Sequence, residues 1–270
     1  MRYDPIKDII AQTVRGNATA RKFFFALLGI FFLREWHVKR ELRRVHRVRP
    51  FRVMFDAGTG FGQYTYYCFR RFKPRSILAV DVKEQYIADL SAFFRAIGTS
   101  EVRCVVEDVT QPTHVSEFDL ILSVDVMEHI PDDAAAFQHF AQALRPGGSL
   151  IVNTPSTLGG SDAHGPDDES FIEEHARIGY DPDDLARKLE TAGLQLERRQ
   201  FTYGPSGTIA WRIGIKWPMH MLGRARAFFF LLPLYYLVTF PVTFLLMSLD
   251  YTFPPSRGSG LLFTARKPST

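Results

Sequence analysis

The stretch Val53-Met-Phe-Asp-Ala-Gly-Thr-Gly-Phe-Gly-Gln-Tyr64 decides how the rest of the chain is read. Val53 to Phe55 reads as a buried strand, closed by Asp56. Gly58, Gly60 and Gly62 then make a tight turn, and a helix begins near Gln63. Glycines at such a turn let the backbone pass close under a ligand, where a Cβ would clash. A strand, a glycine turn and a helix N-terminus are how an open α/β sheet holds a nucleotide-like cofactor. The spacing restricts which one. A dinucleotide fingerprint, G-x-G-x-x-G, needs its third glycine at position 63, which is Gln. Asp56, two residues before the first glycine, would also repel a pyrophosphate.

S-adenosylmethionine (SAM) carries an ammonium and a sulfonium and no phosphate, so it suits that carboxylate. The pattern Asp56-x-Gly58-x-Gly60-x-Gly62 resembles motif I of the class I SAM-dependent methyltransferases. Later segments extend the resemblance in the expected order. Ser76-Ile-Leu-Ala-Val-Asp81 is a buried strand ending in an acid, where α/β cofactor folds place the carboxylate that grips ribose hydroxyls. The resemblance gives that role to Asp81, with Val82 beside it; a bare helix-capping role is the alternative. Val102 to Val109 reads as strand 3, and the family's acid for the adenine amino group matches Asp108, next to Val109, with Glu107 the weaker alternative.

Phe118-Asp-Leu-Ile-Leu-Ser-Val-Asp-Val-Met-Glu-His-Ile-Pro131 reads as strand 4 and its turn, and closely resembles the family's V-x-E-H-I/L-P segment. The resemblance implies that Ser123 and Val124 meet the cofactor's ammonium through their backbone. Glu128 and His129 then stand where the methyl group is delivered. Asp132 to Leu144 reads as a helix stopped at Arg145-Pro-Gly-Gly148, with Ser149 to Thr154 as strand 5. Asp181-Pro182 is a helix start, with Asp at the N-cap and Pro at N1. Related enzymes often carry an H-x-R segment before this helix, which matches His175-Ala-Arg177 and brings Tyr180 close. Arg177 and Tyr180 are thus substrate-binding candidates, and tying down the loop is the other role open to this segment. A hydroxyl nucleophile would gain from a general base near neutral pH, for which His129 and His175 are the candidates. The residues alone do not choose between them.

The expected fold is α/β, a Rossmann-like seven-stranded sheet with strand 7 antiparallel. N-terminal helices precede it, and a helical insertion separates strands 6 and 7. The core is residues 51–204 with 260–268, the basic and apolar arm is 1–50, and the insertion is 205–259. The resemblance implies transfer of a methyl group from SAM, leaving S-adenosylhomocysteine.

Composition separates these parts. Residues 1–50 hold twelve Lys/Arg against four Asp/Glu, a balance of +8; residues 51–204 hold fourteen against twenty-four, a balance of −10. Residues 205–270 hold seven against one, a balance of +6. Two basic arms thus flank an acidic domain, and they also carry the longest apolar runs. That combination suggests an anionic membrane surface more than nucleic acid. The absence of an N/D-P-P-Y/F motif after strand 4 and the acidic domain also weigh against a nucleic-acid substrate. Cys68 and Cys104 fit no disulfide or metal spacing, and the histidines show no H-x-x-x-H pattern, so no metal is expected. The two lone cysteines suit a reducing compartment.

Phe23 to Leu33 is an uncharged run too short to span a bilayer. It reads as a helix packed on the core, or as an interfacial helix with Trp36 at headgroup depth. Ala227 to Leu249 carries no charge; as a helix it would extend about 35 Å against a bilayer core of about 30 Å. Length permits a span. Pro233 and Pro241 argue against a simple one. A single crossing would also strand the last strand on the far side, away from its sheet. A monotopic or re-entrant helical pair follows, on the cytoplasmic face of a membrane, with Thr208 to Leu222 as its interfacial partner. The acceptor expected is hydrophobic and membrane-resident, a lipid or a quinone-like ring, with O-methylation favoured. The rivals are a soluble acceptor with the apolar arms serving a homo-oligomer, and a membrane-bound SAM-binding scaffold without catalysis.

Overall fold

The central strands are buried on both sides, and successive residues along them face two apolar layers. The computed structural model describes residues 16–111, 113–159, 176–224 and 226–269. Its strands are β1 (Val53–Ala57), β2 (Ser76–Asp81), β3 (Val102–Val106), β4 (Phe118–Val124), β5 (Leu144–Pro155), β6 (Gln195–Thr202) and β7 (Gly260–Arg266). They form one sheet in the order β3-β2-β1-β4-β5-β7-β6. β1 to β5 run parallel, and β7 is antiparallel to both of its neighbours. The expected seven strands and the reversed last one are therefore both present.

Phe55, Val80, Ile121 and Leu150 point to one face. There they meet α5 (Asp133–Ala143) and α6 (Pro182–Thr191) through Phe137, Phe140, Leu185 and Leu189. Met54, Ile77, Leu120 and Ile151 point to the other face. That face is covered by α1 (Ala18–Phe31), α2 (Leu33–Val48), α3 (Gln63–Phe72) and α4 (Glu84–Ala96). The N-terminal arm thus packs on the sheet. Val38, Leu42 and Val45 of α2 are buried, and each contributes about 1.5–3 kcal/mol of hydrophobic stabilisation. α1 is only half committed, since Phe25 is buried while Phe23 and Ile30 are exposed.

The apolar run Phe23 to Leu33 hides a break. Phe32 is extended (φ −108°, ψ 111°), ending α1 and starting α2 without a Gly or Pro to mark the place. β5 begins earlier than expected. Leu144 pairs with Phe118 across a register shift, so Arg145-Pro-Gly-Gly148 lies inside the strand and not in a turn before it.

The insertion is a helical hairpin. α7 (Pro205–Trp211) continues through a π turn (Arg212–Lys216) into α8 (Trp217–Arg224). After a 3-10 turn (Arg226–Leu231), α9 (Leu232–Thr252) runs back. Gly207 lies against Asp250 and Gly214 against Thr243, so the limbs are antiparallel and glycines bring them close. The π turn leaves carbonyls outside the regular ladder. Tyr235 Oη donates to Ile213 O (2.6 Å) and Tyr236 Oη to Gly214 O (2.8 Å).

Candidate functional site

Strand β1 delivers Asp56 to the C-terminal edge of the sheet, and the glycine turn folds over β2. Gly58 N and Thr59 N donate to Val80 O at 2.9 and 2.8 Å. All three motif glycines have positive φ, at 80°, 52° and 83°, a region costly for other residues. Their surroundings differ. A Cβ on Gly58 would sit 2.2 Å from Val126, and one on Gly62 2.3 Å from Leu90. Gly60 faces open space. Gly58 and Gly62 therefore let the turn pack on β4's loop and on α4, while Gly60 leaves a cradle that a side chain would fill.

The acids are held as a cofactor site requires. Asp56 is buried, and its Oδ2 accepts from Thr59 Oγ1 (3.0 Å) and from Thr65 Oγ1. Burial pushes its carboxyl up to about 6, against the pull of those two hydroxyls and with a further push from Asp81. Asp81 Oδ2 accepts from Gly60 N and Oδ1 from Lys83 N, both at 3.0 Å. It thus fixes the turn and also holds the backbone of Lys83, the residue before α4. Burial raises Asp81 as well, while backbone N–H groups hold it down. Val82 beside it is exposed. Asp108 is exposed, with Oδ1 taken by Thr110 N and Oγ1. Val109 is buried. Glu107 is tied to His114 and Thr113, which leaves Asp108 as the acid open to a ligand at the end of β3.

At the end of β4, Ser123 is buried and its Oγ has no partner. Val124 is half-buried, and Asp125 adopts φ 52° with its N–H on Asn153 O (2.9 Å). A non-glycine residue in that region beside a site stores strain. The 3-10 turn Met127–His129 sends its two polar residues opposite ways. Glu128 is buried, its Oε2 accepts from Thr154 Oγ1 (3.0 Å), and burial raises its carboxyl. His129 is exposed, so a base at this position would work from the solvent side. His175 lies outside the described residues.

Arg177 and Tyr180, the substrate-binding candidates, are both engaged with the turn after β4. Arg177 Nη1 donates to Met127 O (2.9 Å) and to Tyr180 Oη, Nη2 donates to Pro131 O (3.1 Å), and Asp133 pairs with it at 2.8 Å. Tyr180 is buried, with its hydroxyl on Asp133 (2.7 Å). These contacts tie the segment to the turn after β4, which is the other role open to it.

Residues outside the motifs complete the edge. Tyr64, on the first turn of α3, is buried. Arg34 and Glu35 reach it from the first turn of α2. Arg34 forms an ion pair with Asp125, and its backbone N–H is held by Tyr203 Oη (3.1 Å) at the foot of the hairpin. One sequence signal points there. Glu35, Val38, Leu42 and Val45 share one helical face, so a carboxylate heads an apolar stripe.

The residues fit SAM. The Gly60 cradle, the Asp81 carboxylate on the turn and the orphan Ser123 hydroxyl form a donor and acceptor set that suits it. Comparison with known proteins agrees. A family model described as a methyltransferase domain matches residues 55–152. The ubiquinone biosynthesis O-methyltransferase of Salmonella typhi is 25% identical over 57% of this chain and 67% of its own length. That of Escherichia coli O157:H7 (strain EC4115 / EHEC) is 24% identical over 47% and 59%. The matched stretch thus spans about two thirds or less of these relatives.

Among solved structures, the phosphoethanolamine N-methyltransferase 2 of Haemonchus contortus with SAM superposes with TM-score 0.61. It is 17% identical and covers 97% of this chain and 60% of that one. The N-methyltransferase NodS of Bradyrhizobium japonicum, with S-adenosylhomocysteine, gives 0.56 at 16% identity over 98% and 100%. These two speak for the fold alone. Motif, sheet order, site geometry and family model converge on the same answer: the chain carries a class I SAM-dependent methyltransferase domain.

Proposed function

We propose that this methyltransferase modifies a hydrophobic acceptor drawn from a membrane surface, and that the methylated atom is an oxygen on a quinone-like ring. The observation that carries the proposal is the hairpin. Phe228–Thr252 is long and apolar enough to cross a bilayer, yet only 6% of its most apolar window is buried. Leu234, Leu237, Val238, Val242, Leu245 and Leu249 recur at helical spacing on one uncovered stripe. A soluble core helix would hide that stripe. The other limb carries Arg212, Lys216 and Arg224, which suits an anionic surface. The names of the relatives from Salmonella typhi and Escherichia coli point to the same acceptor class.

Both feet of the hairpin stand at the sheet edge that holds the site, so it dips into one leaflet and returns. The reading keeps the catalytic domain on the cytoplasmic face. When bound, SAM supplies an electrophilic methyl group on sulfur. Asp81 would hold the ribose hydroxyls, the Gly60 backbone would leave room for the cofactor, and Asp108 would receive the adenine amino group. Glu128 shapes the methyl-delivery end from its bond to Thr154. The leaving group is a good one, so most of what the protein adds is positioning.

The test is transfer of radiolabelled methyl from SAM into an extract of the source cells, with Asp81→Ala as control. We expect label in an organic-soluble species, lost in the variant. Label confined to the aqueous fraction would overturn the hydrophobic acceptor.

A further inference from the structure

The first turns of α2 and α3 bring together two polar side chains beside the site that neither folding nor the cofactor motifs explain. Glu35 is 1% exposed and Tyr64 is 4% exposed. Glu35 Oε2 pairs with Lys39 at 2.8 Å, one helical turn on. By ordinary hydrogen-bond geometry Glu35 Oε1, Tyr64 Oη and the Nε of neighbouring Arg34 have no partner, although Tyr64 stands close enough to Glu35 and Arg34 for weaker polar contact with both. A buried carboxylate oxygen or hydroxyl left without a partner costs about 1–3 kcal/mol, and a charged one more. A helix-surface pair with Lys39 would not require this burial.

The location is specific. Arg34, next along the chain, is paired with Asp125 just after β4. Tyr64 follows the glycine turn directly, and Arg34 N is fixed by Tyr203. Burial drives the Tyr64 phenol well above its ordinary range, and the charge of Glu35 pushes the same way while Arg34 opposes it. So Glu35, Tyr64 and Arg34 form one group beside the mouth of the cofactor turn. The hairpin packs next to it, with Trp36 of the same α2 turn in edge contact with Phe244 of α9 (5.3 Å).

We propose that Glu35 is the catalytic base, and that its free Oε1 and the Tyr64 hydroxyl bind the acceptor's own hydroxyl. This rests on the O-methylation proposed above. The Glu35 carboxylate takes the acceptor's O–H proton as the oxygen's electron pair forms a bond to the methyl carbon. The bond from that carbon to sulfur breaks, and its electron pair stays on sulfur. The products are a methyl ether, S-adenosylhomocysteine and a protonated Glu35, which returns its proton to solvent. A phenol is the acceptor class that suits the pair: it offers Glu35 a proton and can accept from Tyr64.

The experiment compares wild type, Glu35→Gln, Glu35→Asp and Tyr64→Phe in two measurements. The first is S-adenosylhomocysteine affinity by calorimetry. The second is the rate of label transfer from SAM into the source-cell extract between pH 5 and 10, followed in whichever fraction takes the label. Label in the aqueous fraction would overturn the hydrophobic acceptor while leaving the Glu35 comparison readable. We expect Glu35→Gln to hold S-adenosylhomocysteine within about twofold and to lose about 10²-fold in rate at neutral pH. Its rate should recover toward alkaline pH as the acceptor ionises unaided. Glu35→Asp should keep part of the rate, and Tyr64→Phe should lose less than Glu35→Gln. A parallel loss of S-adenosylhomocysteine affinity would overturn the proposal and make Glu35 a partner of the cofactor's ammonium. An unchanged rate would overturn it in favour of a plain pair with Lys39. A rate loss that alkaline pH does not rescue would assign Glu35 to structure.

Discussion

Asp56 is a buried carboxylate whose partners are two threonine hydroxyls, and its proton affinity reflects the burial. Its pKa stands at about 6 in the folded chain, against an ordinary 3.8. Below about pH 4 both folded and unfolded chains hold the proton. Between the two values the folded chain keeps a proton that the unfolded one has released. Stability from this group therefore falls as pH rises through the window, and the loss is complete above about 6. The size is about 3 kcal/mol. Asn would keep the acceptor for Thr59 and Thr65 without the charge. Urea denaturation of wild type and Asp56→Asn from pH 4 to 7 should show wild type losing that amount relative to the variant. Parallel curves would mean that the carboxylate is ionised at no cost. Asp56, Asp81 and the glycines were legible because their motif is local: strand, turn and acid lie within thirty residues. Glu35 and Tyr64 were not, because their meeting depends on an arm folding back across a sheet edge.

Among elements, the hairpin and the arm share one buried knot. Asp250 accepts from Gly204 N (2.7 Å) and meets His37 Nε2 at 3.1 Å. Gln200 Nε2 and Arg40 Nη2 approach His37 Nδ1 at 2.9 and 3.0 Å. Two donors on Nδ1 leave Nε2 as the protonated nitrogen, donating to Asp250; this tautomer is assigned from the network. Burial holds the imidazole below its ordinary pKa, against the pull of Asp250. Asp250→Ala would orphan two buried N–H groups at once and should cost about 3 kcal/mol, read as a lower calorimetric Tm. Asp250→Asn, which keeps an acceptor, should cost less; equal losses would mean that the charge is what matters. The bounds of α3 and β7 could be read from sequence, since a glycine turn and a glycine mark their starts. The break at Phe32 and the π turn carry no such mark. They arise where packing against a neighbour overrides a continuous helical pattern.

At the scale of the whole molecule, the hairpin tip is the decisive surface. Phe229, Phe230 and Leu231 are exposed, Phe230 at 82%. Each would contribute about 1.5–3 kcal/mol on leaving water. The full chain should therefore co-sediment with anionic phospholipid vesicles, less so at high salt. Serine at all three positions should weaken that partition by about 10²-fold or more while leaving S-adenosylhomocysteine binding intact. A chain that ignores vesicles and runs as a discrete dimer would instead make the stripe a contact between copies.

The closeness of the hairpin's feet has a kinetic consequence. β7 lies between β5 and β6, so β6 has no partner until β7 arrives. A flexible connection over residues 205–259 would raise the entropy of closing that strand pair by about 2 kcal/mol over a four-residue turn. The hairpin avoids this cost once formed. Asp250 on Gly204 N, and Ser259 N on Tyr203 O at 3.1 Å, bring the ends of the detour together as a tight turn would. The parallel strands β1 to β5 can assemble without it, whereas the last two must wait for the hairpin to zip. The slow step of folding should then be the docking of β7, and a chain cut within the hairpin should leave a half-sheet with an open edge at β5.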